Sequence, residues 1–361
     1  MSDESAEGLA VELKRAVAGD DLARVVSLMT SHPDLHRAPI GYGGAGPLTW
    51  AAQSPAAPSP ARLEIVRWLL EHGADVHEHG DAPLMRAALN DARLPMVELL
   101  VAHGADVNAR SYGFYPILLG PCECLAPGVL RWLLAHGADA RAATSADYGD
   151  PLRMLLGTYD RNPAAKHACL AALAEAGFDP PDTPATALHA GRLDRLQRHL
   201  ERDPSLLSRR FAETEIYPAE LGFKPGEGLH GTPLGGTTLL HIAVEFGDAA
   251  TAAWLIERGA DVNARASVDA GGFGGHTPLY HAVIMITGHR DDTARLLLRH
   301  GADPNARATL RKQLVDVGDP EKEKMHEFRD VTPLGYARRF QEPRFVNASA
   351  LAVLREYGGV E

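Results

Sequence analysis

The stretch Thr293 to Arg307, TARLLLRHGADPNAR, constrains this chain more than any other. Leu296, Leu297 and Leu298 lie in a helix-forming run that ends in Arg299, His300 and Gly301. Cations suit the negative end of a helix, and glycine takes the left-handed conformation that closes one. The same ending returns as His72-Gly73-Ala74-Asp75, His103-Gly104-Ala105-Asp106, His136-Gly137-Ala138-Asp139 and Arg258-Gly259-Ala260-Asp261. Weaker copies stand at Ala176-Gly177-Phe178-Asp179 and Tyr357-Gly358-Gly359. Gly73, Gly104 and Gly137 are 31 and 33 residues apart, a period that fits one short helix pair and a turn per unit. Such units stack into a quasi-linear array, and 361 residues exceed what one core usually serves.

A repeat scaffold offers a surface without saying what binds to it. Composition removes some candidates. The net charge of -11 argues against a nucleic-acid partner, which needs basic patches to displace phosphate counterions. No run of 18 apolar residues occurs, and the opening MSDESAEG is polar and acidic, so neither a membrane span nor a leader is expected. The expectation is a cytoplasmic monomer. Cys122, Cys124 and Cys169 are too few for a disulfide framework, and Cys-Glu-Cys lacks the second ligand pair of a zinc site. They are expected to be reduced and structural.

Taken in order, residues 1–8 are expected to be disordered, and a first array spans 9–180. It opens with helices near 9–18 and 21–31, a cap whose polar face carries Glu12, Lys14, Arg15, Asp20 and Asp21. Later units open at Gly46-Pro47-Leu48, Ala82-Pro83-Leu84, Tyr115-Pro116-Ile117 and Asp150-Pro151-Leu152. A proline-rich insert, Ser54 to Pro60, and an extension, Thr158 to Ala165, lengthen two inter-helix loops. The position five residues before the closing glycine holds Trp68, Leu99, Trp132, Trp254 and Leu296, and is expected to be core. The run Asp179-Pro180-Pro181-Asp182-Thr183-Pro184 breaks the pattern, so a second array is expected over 181–361. Its first helix carries Arg192, Arg195, Arg198 and Arg202, a solvated stripe balanced by Asp194 and Glu201. Further units open at Thr238-Leu239-Leu240-His241-Ile242-Ala243, Thr277-Pro278-Leu279-Tyr280-His281-Ala282 and Thr332-Pro333-Leu334-Gly335.

These units resemble ankyrin repeats, from about residue 9 to the end. The likeness is closest where Thr238 to Ala243 is followed by Gly259-Ala260-Asp261-Val262-Asn263-Ala264. The resemblance implies an all-α repeat solenoid of about nine helix-pair units with extended finger loops, and binding of a protein or peptide through the fingers and the concave face. It also implies that His241 makes a hydrogen bond that tightens the turn between units. His72, His103, His136 and His300, at helix ends, are expected to serve the helix dipole.

The array departs from its own rule in the fingers. From closing glycine to next unit the distance is 9 residues at Gly73, 11 at Gly104 and 13 at Gly137. From Asp203 it is 35, from Gly259 it is 18 and from Gly301 it is 31. Connections above about 12–15 residues are usually functional or disordered. The inserts 211–236, 265–276 and 308–331 spring from successive units of a stack and so must lie side by side. They carry enough apolar residues to pack, among them Phe211, Ile216, Leu221, Leu229, Leu310, Leu314, Val315, Val317, Met325 and Val331. Short helices are expected over Ala219 to Phe223 and Asp319 to Arg329, the latter opened by Asp319-Pro320-Glu321.

Candidate binding residues concentrate in these inserts. They are Glu213, Glu215, Tyr217, Phe223 and His230 in the first, Phe273 and His276 in the second, His281 just after it, and His326, Glu327, Phe328, Arg329 and Asp330 in the third. Two recognition readings stay open beside a third, plain capping or spacing, which predicts mobile inserts. In one, Tyr217, Phe223, Phe273 and Phe328 are apolar anchors for a partner protein, rimmed by Arg311, Lys312, Glu327 and Arg329. In the other, the inserts roof the pocket of a small-ligand or metal-dependent enzyme. No cofactor is expected from any spacing, but a divalent metal held by His230, His276 and His326 is compatible with the residue types. The glycines around Phe273 do not form a phosphate loop, having no lysine after them.

Overall fold

In the computed structural model, residues 6–53, 57–224, 230–315 and 317–361 are described. Residues 1–5 of the expected disordered segment, part of the proline-rich insert and Leu229 therefore lie outside the described residues. The first helix begins at Ala6. Nine helix pairs follow one another among the described residues, from Ala6–Ala18 with Leu22–Ser31 to Pro333–Arg338 with Ala348–Glu356. Among the described residues, strands occur only as two antiparallel two-stranded pairs, so the fold is an all-α repeat solenoid. The chain divides into two compact units: Met1–Leu155 with Ala171–Asp179, and Leu156–Leu170 with Pro180–Glu361.

The repeated glycine ends its helices as its chemistry requires. Gly73, Gly104, Gly137, Gly259 and Gly301 all take φ between 85° and 100°, with open space where a Cβ would stand, so conformation rather than crowding selects glycine. The next amide reaches back to close the turn, as when Ala74 N donates to Leu69 O at 2.9 Å and Ala302 N to Leu297 O at 3.0 Å. The preceding histidine helps: Nδ1 of His72, His103 and His136 lies 2.8 Å, and that of His300 2.9 Å, from a carbonyl one turn earlier. Helix starts are equally local. Ser59, Thr183, Asp248, Thr332 and Asn347 each cap one with a side-chain oxygen.

The buried seam is offset by one residue from the expected register. Leu69, Leu100, Leu133, Leu255 and Leu297 have no exposed surface, whereas Trp68, Leu99, Trp132, Trp254 and Leu296 are half-buried. The tryptophans flank the seam and stack on the helix ends: Trp68 on His72 at 4.2 Å, Trp132 on His136 at 3.7 Å, and Trp254 under Arg258 at 3.7 Å. Asparagines staple one unit to the next. Asn263 Nδ2 donates to Gly301 O at 2.9 Å while its Oδ1 accepts from Asp303 N at 2.8 Å, and Asn108 does the same to Gly137 O and Asp139 N.

In the second unit the three long inserts lie side by side and are bonded in a row. Gly236 O accepts from Ser267 N at 2.8 Å, linking the first to the second, and Gly274 N donates to Thr309 O at 2.6 Å, linking the second to the third. The third insert is a hairpin, Ala308–Lys312 paired with His326–Val331, which corrects the helix expected over Asp319 to Arg329. Leu310 faces Phe328 across this pair, and both are buried in the unit's core with Leu314 and Val331. The stretch at Ala219–Leu221 is a single 3-10 turn.

Candidate functional site

A cleft of about 470 Å³ opens on the finger side of the second unit. Glu213, His230 and Lys312 stand at its polar end, and Leu314, Val315 and Met325 form much of an apolar wall. Val315 and Met325 are each more than half exposed. The first and third inserts build most of it, with Tyr159 and Phe345 at its edges.

Its polar end stands on a buried charge cluster. Glu245, on helix Leu239–Glu245, has no exposed surface, and its carboxylate is met from four directions. Arg161 Nη2 donates to Oε1 at 2.9 Å and Gly231 N at 2.7 Å. His281 Nδ1 donates to Oε2 at 2.7 Å, with Thr232 N at 3.4 Å. Burial pushes this carboxyl up, but the His281 hydrogen bond and the Arg161 charge outweigh it and hold the group at about 2. Nearby, Lys166 Nζ lies 2.9 Å from His189 Nδ1 and 4.0 Å from the Phe246 ring, and burial carries Lys166 well below the usual lysine range.

Above this cluster, Lys312 Nζ donates to His230 Nδ1 at 3.1 Å, and His230 Nε2 points toward Glu213 Oε1 at 3.8 Å. Burial, and then the Lys312 charge, lower His230 to about 4, so its imidazole is neutral and accepts. Burial lowers Lys312 to about 8, against the pull of Glu245 and Glu213.

The remaining expected residues do other work. Tyr217, Phe223, Phe273 and Phe328 are almost wholly buried, so they are not exposed anchors. Tyr217 and Phe223 pack ring to ring at 5.1 Å, Phe328 packs edge-on to Tyr336 at 4.8 Å, and the guanidinium groups of Arg311 and Arg329 lie 4.8 and 5.0 Å from the Phe273 ring. Their apolar area goes into ordering the inserts. Glu215 closes the start of its own helix by accepting from Ala212 N at 2.9 Å and pairs with Arg209. His281 is buried against Glu245. Glu327 pairs with Arg329 at 2.7 Å and Asp330 with Arg307 at 3.1 Å, all exposed.

His230, His276 and His326 do not come together. His276 Nε2 donates to Pro233 O at 3.0 Å, His326 Nε2 to Glu321 O at 2.9 Å, and His230 to neither. No group of three or more His, Cys, Asp or Glu able to hold a metal occurs among the described residues. His241, by contrast, does what the resemblance implied: Nδ1 accepts from Thr238 Oγ1 at 2.8 Å and Nε2 donates to His276 O at 3.2 Å in the next turn.

Arg161, Lys166, His189 and Glu245 escaped the sequence reading. The signal for Glu245 was an acidic residue ending an inner helix, Leu239–Glu245, that is apolar apart from His241. Arg161 sits in the extension Thr158 to Ala165, which was legible as a lengthened loop but not as a source of charge. The cysteines are thiols, with Cys122 and Cys169 buried. A larger hollow of about 830 Å³ at the first helix pair, walled by Leu9, Val11, Leu35 and Ile40, contains none of the expected site residues.

The family model described as ankyrin repeats (3 copies) matches residues 13–111 and 221–308, together just over half of the chain. No curated protein matches it.

Proposed function

Because this chain belongs to the ankyrin repeat family, whose arrays generally serve as protein–protein interaction modules, we propose that it captures a partner protein by taking a segment of that partner into the finger-side cleft of its second unit. The observation that carries this reading is the ordering of the three inserts against one another by backbone hydrogen bonds. That ordering turns long fingers into a fixed concavity with exposed apolar side chains, Val315 and Met325, along its wall. Exposed apolar groups beside polar ones are the usual make-up of a recognition patch. The module acts as a cytoplasmic monomer in this reading, in keeping with its thiol cysteines and with the absence, among the described residues, of a helix long and apolar enough to cross a membrane. The metal-dependent form of the enzyme alternative needed His230, His276 and His326 at one point, and among the described residues no group of three or more His, Cys, Asp or Glu able to hold a metal occurs.

The test replaces Val315 and Met325 together by Asp. Both side chains are exposed, so the fold is expected to survive, as circular dichroism will show. Native mass spectrometry of the chain and of what it captures from lysate should then show a single-chain mass for both proteins and loss of bound partner in the variant alone. Identical captured proteins in wild type and variant would remove the cleft from consideration.

A further inference from the structure

The polar end of the cleft holds a cation that makes no ion pair among the described residues, although Glu245 and Glu213 act on it from a distance. Among the described residues, Lys312 Nζ meets one hydrogen-bond partner, the neutral imidazole of His230, and no carboxylate at ion-pair distance. The other two cations on the cleft wall are differently placed. Arg311 is bound to Asp269 at 2.7 Å, and Arg344 stands 3.7 Å from Glu342, which Lys322 holds at 3.0 Å. Among the described residues, three cations and one carboxylate, Glu213, line this cleft. Beside Lys312 the wall is apolar through Leu314, Val315 and Met325.

From this juxtaposition we infer that the cleft contains a carboxylate subsite: Lys312 receives an acidic group of the partner segment, and Leu314, Val315 and Met325 receive an adjacent aliphatic side chain. The inference rests on the interaction reading above and specifies its chemistry. An ammonium drawn out of water is disfavoured until an opposite charge approaches it. Burial holds Lys312 at about 8, a cost to its charged form that an approaching carboxylate would offset. His230 orients the ammonium without neutralising it, because its own proton lies on Nε2, toward Glu213.

The probe is isocaproate, a carboxylate on a leucine-sized tail, with neutral isocaproamide as its control. Binding to the full-length protein is followed by NMR with carbon-13 in the lysine side chains, of which the chain has six. Wild type is expected to favour the acid over the amide by at least about ten-fold, and Lys312→Met to reduce that preference to within about two-fold. Lys312→Arg should keep most of it. The Lys312 titration midpoint should also rise when isocaproate saturates the cleft, a change that a purely structural lysine would not show. Equal binding of acid and amide, or a preference that survives in Lys312→Met, overturns the subsite. If the Val315/Met325 variant loses partner while isocaproate shows no preference, the interaction reading stands and the subsite falls. If isocaproate needs Lys312 while capture ignores the Val315/Met325 variant, the subsite stands and the protein-segment reading falls.

Discussion

A carboxylate without exposed surface costs several kcal/mol unless its charge is met, and Glu245 is met by a residue 84 positions earlier, Arg161, and one 36 positions later, His281. Arg161 is itself fully buried and also donates to Thr158 O at 2.9 Å, so it ties the 156–170 segment to the helix that carries Glu245. Removing one partner of such a pair is worse than removing both, because a buried charge is left without an answer. Arg161→Met should therefore lower the stability of this unit by about 3–5 kcal/mol, and Arg161→Met with Glu245→Gln should recover a large part of that. Urea unfolding, with hydrogen exchange in Leu239–Glu245 to locate the loss, checks it. A double variant no more stable than Arg161→Met would show that the pair is not the unit of interaction. At this scale the sequence was legible where a residue acts on its own neighbours, as His72 and His300 do, and illegible where its partner is distant. The tryptophan register shows the intermediate case: periodicity located the buried stripe to within one position, and only packing decided between Trp68 and Leu69.

The helix pairs were readable because each is closed by local chemistry, a cap at one end and a left-handed glycine at the other. In the third insert Asp319-Pro320-Glu321 reads locally as a helix start, but pairing with Ala308–Lys312 decides the backbone instead. Phe328 and Val331 are three apart, a helical spacing, yet both face inward from a strand. The pairing shifts register between Ala308 and Leu310, and Asp330 takes φ of 46°, so an extra residue bulges out and turns Val331 back toward the core. The second insert depends on backbone contact in the same way. Gly274 has φ of 133°, and a Cβ there would lie 1.9 Å from Ser267 O, against backbone that cannot give way. Gly272 has φ of 81° but open space around it. Gly274→Ala should accordingly cost at least about 2 kcal/mol and break the link to Thr309, while Gly272→Ala carries only the left-handed penalty of about 1–2 kcal/mol. Urea midpoints for the two variants, with hydrogen exchange at position 274 and its neighbours, compare them directly. Equal midpoints with the Thr309 contact intact would mean that the insert is loosely held.

Across the molecule the number and kind of units could be read from a period, but the second unit's concentration of buried histidines could not, and it governs how the protein meets acid. Burial first, then the neighbouring Lys312 charge, holds His230 at about 4, and burial with His281 holds His276 at about 3, each below the ordinary 6.5. His189 and His241 are driven well below that value by burial too. A folded pKa below the unfolded one means that the unfolded chain takes up protons first. The stability these groups contribute is complete above pH 6.5 and is lost as pH falls toward 4 for His230 and toward 3 for His276. Glu245 adds to the loss later, between its ordinary 4.5 and about 2. At about 1.4 kcal/mol per pH unit for each group, His230 and His276 alone remove on the order of 5 kcal/mol by about pH 4.5, against a total of about 5–15 kcal/mol for a typical domain. The second unit should therefore begin to lose stability in mild acid, before its carboxylates are protonated. Urea midpoints measured between pH 7.5 and 4.5, with hydrogen exchange reporting on helices Leu239–Glu245 and Pro278–Val283, are expected to fall steadily from about pH 6.5. His276→Gln, which keeps a donor for Pro233 O, should flatten part of that slope. A midpoint that holds constant down to pH 5 would mean that these imidazoles are protonated in the folded chain and that the cluster around Glu245 is wetter than its burial implies.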